Sequence, residues 1–186
     1  MARTPSAMIQ LGTDAPDFLL LDPVNGQMVS RNDLRKSKGL LVIFMCNHCP
    51  FVKHILPGLQ ELGRTYQHSD IGLVAINSND AEQYPDDAPE KMGELQLGFS
   101  YLYDEDQSTA RNYGAACTPD FYLFNAELKL VYRGQLDNSR PGNGIPVNGR
   151  DLREALDNIM SNNPQRKDQK PSMGCNIKWR EVTTQP

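Results

Sequence analysis

The chain has 186 residues, 39% of them apolar and 23% charged, with a net charge of −4. That length suits one domain with its own hydrophobic core, and the composition is that of a soluble globular protein. No basic cluster is present, so nucleic acid and anionic membranes are excluded as partners, and the longest apolar run is far too short to cross a bilayer.

Residues 1–10 read as a loose, polar N-terminus without the apolar stretch of a signal peptide, and a cytoplasmic location is the expectation. A short strand over Asp14–Asp22 ends at Pro23 and the Asn25-Gly26 turn, and Gln27–Ser30 returns as the second arm of a hairpin. Ser30 caps a brief helix to about Arg35. Leu40-Leu-Val-Ile-Phe-Met45 then reads as a strand buried on both faces.

Directly after it comes Cys46-Asn47-His48-Cys49, followed by helical periodicity in Phe51, Ile55, Leu59 and Leu62. A helix starting at the cysteine would set its unpaired amides and positive dipole end against the first sulfur, favouring thiolate. A second thiol one turn on can close a disulfide with it. Pro50 falls in the first turn, where its missing N–H costs little; Pro57 is interior and predicts a kink near Lys53.

Ile71–Ile76 is a second buried strand, and residues 77–89, acidic and proline-bearing, read as an exposed loop. Pro89–Leu97 predicts a short helix with Met92, Leu95 and Gln96 inward. Tyr101–Tyr103 is a strand, and the helix after it is capped by Asp106 or Ser108 and ends at Gly114. Phe121–Phe124 and Leu128–Tyr132 form a hairpin across Asn125–Glu127. A long Gly-, Pro- and Asn-rich loop over 134–149 leads to a last helix, Asp151–Met160, with Leu152, Ala155, Leu156 and Ile159 on one face. The expected organisation is a domain over 11–163 and a tail over 164–186 that docks on it, Ile177 and Trp179 alternating as on a strand. Strand–helix–strand followed by a hairpin gives an α/β fold, a mixed sheet with helices on both faces.

Several motifs together carry a resemblance: Gly12-x-x-Ala15-Pro-Asp-Phe18, the strand with Cys46-x-x-Cys49, Thr118-Pro119-Asp-Phe-Tyr-Leu-Phe124, and Tyr132-x-Gly134. Over roughly residues 11–160 the chain resembles the thioredoxin-like superfamily, in its alkyl hydroperoxide reductase and thiol-specific antioxidant branch. The resemblance implies that Cys46 is the attacking thiolate, Cys49 the resolving thiol, and Pro119 a cis-proline facing them, with Thr118 contacting substrate. Three departures stand out: Met45 where thioredoxins carry Trp, Pro57 eleven residues after Cys46 rather than eight, and Cys46 where peroxiredoxins carry the threonine of Thr-x-x-Cys. Asp80 is the nearest candidate for an acid beneath the second cysteine.

The primary expectation is a thiol–disulfide oxidoreductase acting through a mixed disulfide, with no cofactor beyond its redox-active disulfide and no bound metal. Its partner is an external dithiol donor or a disulfide substrate, and the protein is a monomer or homodimer. A thiol peroxidase is the second reading. A redox sensor or a zinc-stabilised binding module, with Cys117 and Cys175 completing a four-cysteine site, is the third. His48 is expected to tune the thiols; His54, His68 and Arg133 read as surface or packing residues. Cys117 and Cys175 are candidate auxiliary thiols, Cys175 pairing with, or relaying electrons to, Cys117 or the dithiol from the docked tail.

Overall fold

The computed structural model describes residues 3–181. In chain order its elements are β1 (Arg3–Pro5), β2 (Leu19–Asp22), β3 (Gln27–Ser30), α1 (Arg31–Leu34), β4 (Gly39–Phe44), α2 (Pro50–Tyr66), β5 (Ile71–Asn77) and α3 (Pro89–Met92). They continue as β6 (Ser100–Tyr103), α4 (Ser108–Tyr113), β7 (Cys117–Thr118), β8 (Asp120–Asn125), β9 (Leu130–Gly134), α5 (Arg150–Met160) and β10 (Met173–Asn176).

Every residue of β4 and of β5 is buried, as their unbroken apolar runs demand of central strands. β4 pairs antiparallel with β8, from Gly39 opposite Asn125 to Phe44 opposite Asp120. Just past its end the Met45 amide donates to the Ile76 carbonyl at 2.9 Å, which sets β4 beside β5. β5 runs parallel to β6, β6 antiparallel to β2, and the β2–β3 and β8–β9 hairpins complete the two sides.

Alternation along β4 divides the core. Leu41, Ile43 and Met45 face α2 and α5, packing with Val52, Ile55, Leu59, Leu62, Leu152 and Leu156. Leu40, Val42 and Phe44 face the other way, against Phe18, Ala110, Tyr113 and Tyr122. The mixed α/β architecture with helices on both faces is thus present, and no helix among the described residues is long and apolar enough to cross a membrane.

Several expectations change. α2 begins at Pro50 with Cys49 as its N-cap, so the helix head meets the second cysteine and not Cys46. Its buried stripe keeps the expected Ile55, Leu59 and Leu62 and adds Val52 and Tyr66, while Phe51 packs half-buried against the same core. The helix expected over Pro89–Leu97 stops at Met92 and tightens into a 3₁₀ turn, because Gln96 turns left-handed at φ 47° and points to solvent. Residues 77–89 are only in part an exposed loop: Glu82, Gln83, Pro85 and Asp86 are exposed, but Asn77, Ser78, Asn79, Asp80 and Asp87 are buried. The next helix also starts one residue off either expected cap, with Gln107 as N-cap and the Asp104 carboxylate taking the Thr109 and Ala110 amides.

The N-terminal stretch expected to be loose is paired as well, because the tail supplies it with a strand. β10 lies between β1 and β7, antiparallel to both, with Arg3 opposite Cys175 on one side and Cys175 opposite Thr118 on the other. Gly174 makes this approach possible: a Cβ there would lie 2.0 Å from the Thr118 carbonyl oxygen. Beyond β10, Ile177 is buried, and Trp179 packs on the second core cluster beneath the Arg111 guanidinium.

Candidate active site

The end of β4, the head of α2 and the β7–β8 junction converge on the two cysteines of the Cys46–Cys49 motif. The Thr118–Pro119 peptide is cis. Thr118 touches both sulfurs: its Oγ1 lies 3.5 Å from Cys46 Sγ, and its carbonyl accepts from Cys49 Sγ at 3.2 Å. Both cysteines are fully buried and neither is in a disulfide.

The two sulfurs also share a hydrogen bond. It raises Cys46 well above the usual thiol range, with burial and the Asp87 carboxylate adding to the rise. The same bond lowers Cys49 to about 4 against the effect of burial, helped by Thr118 and Cys175. The Thr118 carbonyl pulls the other way, since only a protonated Cys49 can donate to it. The pair is therefore a unit that keeps one proton at neutral pH, and moving that proton to Cys49 leaves the charge on Cys46 beside a hydroxyl donor.

The turn between the cysteines is held by a buried acid. Asp87 Oδ1 accepts the backbone amides of Asn47 (2.8 Å) and His48 (2.9 Å). Its Oδ2 lies 2.5 Å from His48 Nδ1 and accepts from Asn79 Nδ2 at 2.8 Å. Burial raises this carboxyl, but the hydrogen bonds from His48 and Asn79 together outweigh it and hold the group below its ordinary value. Asn47 adds a bond from Nδ2 to the Lys91 carbonyl and accepts from the Tyr101 hydroxyl.

His48 sits between acid and thiol, its Nδ1 3.8 Å from Cys46 Sγ. Tyr84 stacks on its ring at 5.1 Å, and its Nε2 is buried with no hydrogen-bond partner among the described residues. Cys46 Sγ, His48 Nδ1 and an Asp87 oxygen lie within 4.8 Å of one another, close enough for a metal ion to bridge.

The other residues named from sequence divide. Cys175, opposite Thr118, shares a hydrogen bond with Cys49. Cys117 is next to Thr118 on β7 and so points to the other face; its sulfur donates to the Pro119 carbonyl, and burial pushes its thiol far up. The four cysteines thus do not converge as a zinc site. Asp80 is not beneath Cys49: its side chain accepts the nearby Glu82 amide and faces Arg180, and its own amide donates to the Lys178 carbonyl of the tail. His54 bonds Ser139, His68 is exposed, and Arg133 pairs with Gln169.

Asp87, Asn79, Tyr84 and Gln107 were missed in the sequence. Asn79 Oδ1 accepts the Lys178 amide, and Gln107 donates to the Lys178 carbonyl, so the same buried polar group that holds the thiol turn also anchors the tail. The signal was there in Asn77-Ser-Asn-Asp80: polar residues at and just beyond the end of a fully buried parallel strand, where α/β sheets place their sites.

The chain is similar to a solved protein of Geobacillus kaustophilus described as an uncharacterized conserved protein, at 50% identity over 97% of this chain and 98% of that one, TM-score 0.95. It is similar to a hypothetical protein of Sinorhizobium meliloti 1021 at 45% identity over 96% and 99%, TM-score 0.93. A putative thiol:disulfide interchange protein DsbE of Chlorobium tepidum, 20% identical over 82% and 99% with TM-score 0.65, shares the fold. No curated protein matches the chain. The AhpC/TSA family matches residues 11–133, well over half of the sequence. On that match, and with a thioredoxin-like fold, the chain belongs to the AhpC/TSA family.

Proposed function

We propose that this protein is a thiol–disulfide oxidoreductase working through Cys46 and Cys49. The observation that carries the reading is Thr118, which meets one sulfur with its hydroxyl and the other with its carbonyl. Cys46, as thiolate, attacks a substrate disulfide; one half of the substrate leaves as a thiol and the other stays bound to Cys46. Cys49 then attacks Cys46, the mixed disulfide breaks, and a Cys46–Cys49 disulfide remains while the substrate leaves reduced. The protein is oxidised by two electrons, and an external dithiol restores it. His48, held by Asp87, lies beside Cys46 where the proton moves.

The test is Cys49→Ser, which removes the resolving thiol. Incubated with oxidised glutathione, this variant accumulates a mixed disulfide on Cys46, seen by mass spectrometry. A folded variant that accumulates none overturns the reading.

A further inference from the structure

Two features of the thiol site are not used by a simple two-cysteine exchange. The tail strand β10 occupies the edge of β7 beside Cys46 and Cys49, and it brings a third thiol with it. Residues paired across antiparallel strands project to the same face. Cys175 pairs with Thr118, whose hydroxyl faces Cys46, so Cys175 projects toward the dithiol while Cys117 does not. Its hydrogen bond with Cys49 is the result. The register is pinned, because Gly174 rides directly on the Thr118 carbonyl and no larger residue fits. It is pinned again downstream, where Lys178 gives its amide to Asn79 and its carbonyl to Gln107 and Asp80.

Resting on the exchange reading above, we propose that Cys175 is a third member of the redox centre, a relay that carries the disulfide onto the tail. Once Cys46 and Cys49 are joined, the Cys175 thiol attacks the Cys49 sulfur. A Cys49–Cys175 disulfide forms, the Cys46–Cys49 bond breaks, and Cys46 leaves with the electron pair and takes up the proton that Cys175 gives up. One disulfide is exchanged for another, so no outside oxidant or reductant enters this step. Cys46 is restored as a nucleophile, and the external dithiol meets a disulfide between the core and the tail. In the reduced protein burial, then the Cys49 hydrogen bond, push Cys175 up to about 12. Closing the first disulfide removes the Cys49 charge and with it that part of the rise. The leaving sulfur, Cys46, departs beside the Thr118 hydroxyl and the His48 ring.

The full chain, reduced and then given one equivalent of oxidised glutathione, is acid-quenched over time, alkylated and mapped without reduction. The Cys46–Cys49 disulfide appears first, followed by Cys49–Cys175 with Cys46 alkylated, in about a tenth or more of the oxidised chains. Cys175→Ser stops at Cys46–Cys49, and Cys46→Ser still joins Cys49 to Cys175. A Cys46–Cys49 disulfide that persists while Cys175 stays fully alkylated, or recovery of Cys175 joined to Cys117, overturns the relay and leaves the exchange reading intact. If the folded wild-type chain forms no disulfide at Cys46, the exchange reading falls and the relay with it.

Discussion

Asp87 grips His48 from two sides, taking its backbone amide on Oδ1 at 2.9 Å and facing its ring nitrogen with Oδ2 at 2.5 Å. The carboxylate is fully buried, and Asn47 and Asn79 also donate to it. Asp87→Ala leaves those donors buried without an acceptor, and the expected loss is about 3–5 kcal/mol in urea unfolding. Because the folded carboxyl lies below its ordinary value, its contribution is present above about pH 4 and is lost as pH falls through the folded value. Asp87→Asn lacks that acid-side slope.

The shared hydrogen bond makes a prediction for the thiols. Thiolate exists above the pKa, so thiolate absorbance near 240 nm persists through neutral pH and disappears as pH falls through about 4. Cys46→Ala removes the largest cause of that lowering. Its remaining thiolate then titrates several units higher, toward the ordinary thiol value of about 8.5. An unchanged titration in the alanine variant would break the link between the two sulfurs.

Asp120 predicts the opposite slope to Asp87. Burial pushes it up to about 7, against hydrogen bonds from Tyr122 and the Ala116 amide. The folded state then binds a proton that the unfolded chain has already released above about pH 4. Stability falls as pH rises from about 4 to about 7, by up to about 4 kcal/mol. Denaturation midpoints for Asp120→Asn between those pH values show a shallower fall than wild type.

Gly174 is the lever for the tail. A Cβ there meets the Thr118 carbonyl carbon and oxygen at 2.5 and 2.0 Å and the Pro119 nitrogen at 3.1 Å, all backbone atoms that cannot swing aside. Gly174→Ala loosens β10 at an expected cost of about 1–3 kcal/mol, and local opening rises about tenfold or more. Cys46 and Cys49 then react faster with a maleimide in the native protein. Unchanged labelling means that β10 does not shield the dithiol.

How far the sequence could be read follows from where each signal lies. β4 and β5 were legible as unbroken apolar runs, and the stripe of α2 through its helical period, because burial leaves both marks locally in the chain. The start of α2 was harder: Pro50 fits the first helical turn in either register, and only the fold fixes Cys49 as the cap. Asp87 was misread because a buried acid and an exposed one look alike until their donors are known. Those donors come from residues 47, 48 and 79, far apart or on another element. Ile177 and Trp179 suggested a docking strand, but the strand lies just before them at Met173–Asn176, and its seat on β7 goes with the Gly174 contact.

Asn79 spends both ends of one amide, giving its N–H to Asp87 and its oxygen to the Lys178 amide. Neither bond can be lost without leaving half of a buried side chain unpaired. Docking of the tail and ionisation of Asp87 are therefore thermodynamically linked, and the linkage is reciprocal. Whatever lifts residues 173–180 from the core alters the acid that positions His48. Whatever protonates that acid weakens the hold on the strand that carries Cys175.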